Sequence, residues 1–248
     1  MTTLIPQIAL VDDTHNMDRD ELAHVAAALT SQVQNDFAPT WHKTGAVTTA
    51  KPGPATWQVH ITNKMDEPGA LGYHTNDSHN QPVAYVLHDD GWTVTASHEV
   101  LEMLLDPFGS YMHSARLPFN IEDRWRDFDL PTHRHHVHYL VEACDPCEAT
   151  TYEIGSIVVS DFLTGHYYRT NPKAGAHYSY QDGVLRPREV AEDGYVSFAT
   201  DEGEWYQVFV RNGRAEVNGL GKFDATNHRT VREFTDAAAR EWRVARSL

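Results

Sequence analysis

The stretch Trp92–Pro107, WTVTASHEVLEMLLDP, sets the tightest limit on how this chain folds. Wound as a helix at about 100° per residue from Thr95 to Asp106, with His98 at zero, it puts Glu102 about 40° away, Asp106 about 80° and Glu99 about 100°. The rest of the circle holds Val100, Leu101, Met103, Leu104 and Leu105. An apolar arc that wide has to be buried on most sides. One narrow face then carries an imidazole and three carboxylates, and such a group must be solvated through a cleft, paired or bound to a cation. His98 and Glu102 stand one turn apart, so both can point at one ion. Thr93, Thr95 or Ser97 is placed to cap the start, and Pro107 to stop the helix. An ordinary amphipathic surface helix is the plain alternative, and the width of the apolar arc argues against it.

The order His-Glu-x-x-ligand resembles the HExxH helix of the zincin metallopeptidases, with Glu102 where the second His would stand, so that the motif reads HEVLE. The resemblance implies that His98 and Glu102 hold a metal and that Glu99 is the general base. The element order over residues 1–110 resembles the N-terminal half of the same fold, where a mixed sheet backs the active-site helix. It further implies that the strand before the helix is an open edge whose main chain pairs with an extended peptide. On that basis Val83–Leu87, with Val83, Tyr85 and Leu87, is the expected substrate strand.

A catalytic zinc site takes three protein ligands and keeps one position open. In one branch of the family the third ligand follows the first His by about ten residues. Here that position is Phe108, which excludes the branch. Where a downstream carboxylate serves instead, the candidates are Glu122, Glu142 and Asp145. Glu142 and Asp145 close the apolar run in LVEACDP, where a solvated surface explains a carboxylate poorly, so one is expected as ligand and the other as support. A turn aspartate ahead of Pro146, capping its own backbone, is the alternative for Asp145. His133, His135, His136 and His138 are reserve nitrogen donors, although such a run also suits a solvent-facing segment.

One His with two carboxylates nearly neutralises a divalent cation. That weakens it as a Lewis acid and shifts preference toward manganese or iron(II), with zinc still the first choice. Working as in the zincins, the ion polarises a scissile carbonyl and binds a water whose proton Glu99 carries to the leaving amine. A donor must then stabilise the oxyanion, and Tyr73, His74, His166, Tyr167 and Tyr168 are the candidates.

At 248 residues the chain can bury a full core, and no clean linker interrupts it, so a single compact α/β (α+β) domain over 1–248 is expected. Residues 1–110 form the zincin-like half, and 111–248 a β-rich half that completes the site and ends in a helix. A net charge of −15 without a Lys/Arg block argues against phosphate-driven nucleic-acid binding. No apolar run approaches the roughly 20 residues of a membrane span. The start, MTTLIPQIALVDD, lacks a basic region before its apolar run, so no signal peptide is read and a cytoplasmic protein is expected, with export by another route as the alternative. Cys144 and Cys147 form a lone CxxC without a second pair or a thioredoxin-like setting, and read as incidental thiols. Oligomeric state leaves no mark in the sequence.

Periodicity predicts strands at Ile5–Val11, Trp57–Ile61 and Val83–Leu87, and a helix over Arg19–Phe37 capped by Asp18. Tyr73–Pro82 reads as a polar excursion and Phe108–Pro131 as a long loop with room for one helical turn. Val137–Glu142 and Ser156–Ser160 read as strands, Tyr195–Ala199 and Trp205–Val210 as a hairpin around DEGE, and Thr230 onward as an amphipathic helix. The function expected is a metal-dependent hydrolase acting on a peptide or small amide. The alternatives are a non-catalytic protein with a structural metal and a metal-dependent lyase.

Overall fold

The computed structural model describes residues 5–128, 130 and 136–247. The described residues are mixed α and β, with three separate sheets. It divides into two compact units, Met1–Phe108 with Thr151–Ser160, and Gly109–Thr150 with Asp161–Leu248. Where the sequence suggests one domain, the first unit closes at Phe108 and takes back a hairpin from the later half.

The first unit is built on β1 (Gln7–Asp12), β2 (Ala46–Thr48), β3 (Trp57–Thr62), β4 (Gly72–Asn76) and β5 (Pro82–Leu87), in the order β2-β1-β3-β5-β4. β1, β2, β3 and β5 run parallel, and β4 runs antiparallel beside β5. The turn between β4 and β5 explains the reversal. Asn80 N–H donates to Asp77 O at 3.0 Å, the Asp77 carboxylate accepts from the N–H groups of His79 and Gln81, and Asn80 sits at φ +60°. A turn this short joins only antiparallel neighbours, so β4 folds back outside β5 and becomes the outer strand.

The polar excursion expected at Tyr73–Pro82 is therefore half strand. Its alternation is hidden because the inward residue is a histidine, His74, which is buried opposite Ala84. The expected substrate strand has to be corrected as well. β5 is hydrogen-bonded to β3 on one side and β4 on the other, so Val83, Tyr85 and Leu87 offer no open main-chain edge.

The first helix, α1 (Arg19–Ser31), buries Leu22, Val25, Ala26 and Leu29 at helical spacing, and the Asp18 carboxylate caps it by accepting from Asp20 N–H at 2.7 Å. Helical structure then runs on past the expected end, through a π-helical turn at Gln32–Phe37 into the short α2 (Ala38–Trp41). The central helix, α3 (Trp92–Leu105), packs on β5, β4 and β3. It starts a turn earlier than the sequence suggests, on Gly91, and none of Thr93, Thr95 and Ser97 caps it. Thr93 instead donates to Val158 O, and Ser97 donates to Gln32 Oε1 at 2.8 Å while accepting from Ser160 N–H at 3.0 Å. Gln32 Nε2 closes this buried triangle on Ser160 O at 2.9 Å. The hairpin β8 (Thr151–Ile154) and β9 (Ile157–Ser160) is thereby tied to α3 and α1.

In the second unit, β6 (Met112–Arg116), β7 (His136–Leu140), β10 (Tyr195–Ala199), β11 (Glu204–Arg211) and β12 (Arg214–Lys222) form an antiparallel sheet in the order β12-β11-β10-β7-β6. The last helix, α4 (Val231–Ser247), lays Trp242 on Phe209 of β11, ring centroids 3.9 Å apart, with Tyr195 and Ala239 in the same cluster. β6 falls inside the stretch that reads as a long loop, because MHSAR has no apolar alternation to mark it. Among the described residues no helix is long and apolar enough to cross a membrane.

Candidate metal centre

Two neighbouring elements of the first unit supply the site. Every fourth residue of α3 returns to one face, which stacks His98 over Glu102 and brings Glu99 round beside them. β4 runs past that face and turns His74 inward. His98 Nε2 lies 3.2 Å from Glu102 Oε2, the separation of two atoms that share a proton or a small cation. His74 Nδ1 lies 2.8 Å from Glu99 Oε2 and 3.9 Å from Glu102 Oε2. Glu102 thus stands between two imidazoles, one from its own helix and one from the adjoining strand.

Electrostatics make this arrangement demanding. Glu99 and Glu102 keep only 5 % and 4 % of their surface exposed, with one oxygen of each within 4.8 Å of the other. Carboxylates this close in a poorly solvated place repel each other unless protons or positive charge offset them. His74, itself buried, and the partly exposed His98 are the groups at hand to do so. One His nitrogen and two carboxylate oxygens, from His74, Glu99 and Glu102, lie within 4.8 Å of one another, close enough to converge on a metal ion. Nitrogen and carboxylate oxygen donors suit zinc, manganese and iron(II) alike.

The backbone allows no slack here. A Cβ on Gly72, at the start of β4, would fall 2.4 Å from Thr95 Cγ2 and 2.7 Å from Glu99 Oε1. Glycine at this position leaves room for the Thr95 and Glu99 side chains to lie against β4 as they do.

The other residues singled out in the sequence are distributed differently. Tyr73 neighbours His74 in β4, so its side chain takes the opposite side of the strand, where it stacks on Tyr85 at 5.2 Å. The oxyanion role expected of Tyr73 beside His74 is therefore corrected. Glu142 was expected to reach a metal, but both its oxygens are held by Arg232, at 2.7 and 2.9 Å. A bidentate guanidinium pair leaves a carboxylate ill suited to a cation as well. Glu122 is likewise bound by Arg188 at 3.0 Å and by Arg116. Asp145 opens a buried 3-10 turn, Asp145–Cys147, in the second unit. Tyr167 and Tyr168 pack edge to face, ring centroids 5.0 Å apart, and burial pushes the Tyr167 phenol well above the ordinary tyrosine range. His166 has its pKa lowered by burial and by the nearby Arg169 and Lys173. His133 and His135 lie outside the described residues, His136 begins β7, and His138 engages Ser114 and Asp201.

His74 is the residue whose surroundings the sequence does not foretell. It reads as an oxyanion donor, and in the fold it is a direct neighbour of both helix carboxylates. Recognising YHTN as a strand running beside the helix would have found it. Comparisons with protein-family models, with curated proteins and with solved structures give no match.

Proposed function

We propose that the first unit carries the catalytic centre of a metal-dependent hydrolase, of zincin-like organisation, acting on a peptide or another amide. One observation carries the reading. A His98–Glu102 pair one helical turn apart and a His74–Glu99 pair bridging strand to helix meet at Glu102 in a mostly buried spot. His98 and Glu102 would hold one divalent ion, zinc by first choice and manganese or iron(II) otherwise, with His74 beside Glu102 and hydrogen-bonded to Glu99. When bound, such an ion supplies Lewis-acid polarisation of a carbonyl and acidifies a water.

The chain's own groups do the rest. Glu99 takes a proton from the attacking water and delivers it to the leaving nitrogen, and the 2.8 Å contact from His74 fixes the orientation of its carboxylate. β4, rather than β5, is the outer strand beside the helix, and its outward main chain can pair with an extended peptide. The mixed sheet with one antiparallel outer strand against α3 supports the zincin-like reading.

Glu99→Gln tests it. Hydrolysis of an unstructured protein substrate such as casein is expected to fall by about 10²–10⁴-fold while the metal content stays unchanged. Full activity in that variant overturns the assignment. The burial of Glu102, Glu99 and His74 favours a second reading, a structural cation without turnover. Chelation separates the two, since a catalytic ion leaves with the activity and a structural one leaves with the fold.

A further inference from the structure

The second unit holds a constellation unrelated to the cation cluster. Ser114 Oγ lies 2.7 Å from His138 Nδ1, and His138 Nε2 lies 3.0 Å from Asp201 Oδ1. Sheet pairing assembles it. Ser114 and His138 face each other directly across β6 and β7, and His138 faces Ala199 at the end of β10. The turn that follows, closed by Gly203 N–H donating to Thr200 O, carries Asp201 to the same side.

With the His138 ring neutral and Asp201 ionised, these contacts select one tautomer. An ionised carboxylate only accepts, so His138 Nε2 carries the proton and donates it to Asp201. That leaves Nδ1 of the neutral ring as an acceptor, and the Ser114 hydroxyl donates to it. Nucleophile, base and orienting carboxylate are thus in series, in the tautomer that general-base activation of a serine needs. β6 is also the outermost strand of its sheet, so alternate N–H groups near Ser114 turn away from β7 and can serve a developing oxyanion.

We propose that Ser114 is an acylatable nucleophile, activated by His138 and positioned for it by Asp201, that accepts acyl groups from small uncharged esters. Ser114 Oγ bonds to the ester carbonyl carbon while its proton passes to His138 Nδ1. The carbon–alkoxide bond breaks, and the alcohol departs with that proton. Water then cleaves the acyl-serine and releases the acid. Asp201 is 69 % exposed and His138 42 %, so solvent screens the carboxylate's help and turnover is slow.

The test uses a fluorophosphonate probe on the full chain, with the adduct located by peptide mass spectrometry. Here the Oγ–P bond forms, fluoride leaves, and His138 again takes the proton. Labelling is expected on Ser114 in preference to the nearby Ser110. It is lost in Ser114→Ala, at least tenfold slower in His138→Ala, slowed in Asp201→Asn and restored by Asp201→Glu. Circular dichroism checks that each variant is folded, and a chelator should leave labelling unchanged, which keeps the result separate from the cation cluster. No adduct on Ser114, equal labelling of Ser110, or a rate indifferent to His138→Ala overturns the proposal. Loss of labelling with the chelator overturns it too.

Discussion

Asp12, at the end of β1, shows how one carboxylate can be tied to the fold by main-chain donors. Burial pushes its pKa up, but the Thr14 hydroxyl and the N–H groups of Met17, His15 and Thr14 outweigh that and hold it below the ordinary aspartate value. A depressed folded-state pKa means that the stabilisation is present above the ordinary aspartate value and is lost as pH falls through the lowered one. Asp12→Asn should therefore melt below the wild type at neutral pH, and the gap should close in strong acid, where the protonated wild type resembles the amide. Thermal melts from pH 2 to pH 7 check this, and a gap of constant size would contradict it. Site residues were legible in the sequence to the extent that they share one helix. His98, Glu99 and Glu102 fall together because helical spacing is regular, whereas His74 comes from a strand 24 positions before His98 and no local pattern links the two. Glu142 was misread for a related reason. A carboxylate at the end of an apolar run announces that it needs a partner, but not that the partner is Arg232, ninety residues on.

The elements that sequence patterning finds are those with an apolar face. α1, α3, α4, β1, β3, β5 and the β10–β11 hairpin all carry one, and all appear close to where they are expected. β4 and β6 do not carry one. GYHTN and MHSAR lie at the outside of their sheets, where one edge needs no partner and polar side chains are tolerated on both faces, so they read as loop. That blind spot matters, since β4 supplies His74 and β6 supplies Ser114. The close approach of β4 to α3 gives a direct check. Gly72→Ala would press a methyl group onto Thr95 and Glu99, and either strand or helix must give way. The expected outcome is a destabilisation of about 1–3 kcal/mol and, on the proposed function, a loss of hydrolysis of at least tenfold, because small displacements of a catalytic group are costly. Gly53→Ala, whose nearest heavy atom would be 3.6 Å away, should leave both unchanged. Wild-type activity in Gly72→Ala, measured beside a chemical-denaturation curve, would show that Glu99 does not depend on that approach.

Across the whole molecule, the first unit ends at Phe108, near the division read at residue 110, and what the sequence conceals is the return of Thr151–Ser160 to that unit. No composition change or Pro/Gly-rich linker marks Phe108. Contacts between distant segments, such as the Gln32–Ser97–Ser160 triangle, decide which unit that hairpin joins. Each unit also has its own buried ion-pair chemistry, Glu142 with Arg232 in the second and the His–Glu cluster in the first. Of these two, the cluster sets two carboxylates against imidazoles, and on that difference the proposal of a cation rests. The most direct measurement is the metal content of the purified chain by inductively coupled plasma mass spectrometry, for wild type, His98→Ala and Glu102→Gln. About one divalent ion per wild-type chain is expected, with at least tenfold less in both folded variants. A wild type that carries no stoichiometric metal, or variants that retain it in full, would contradict it.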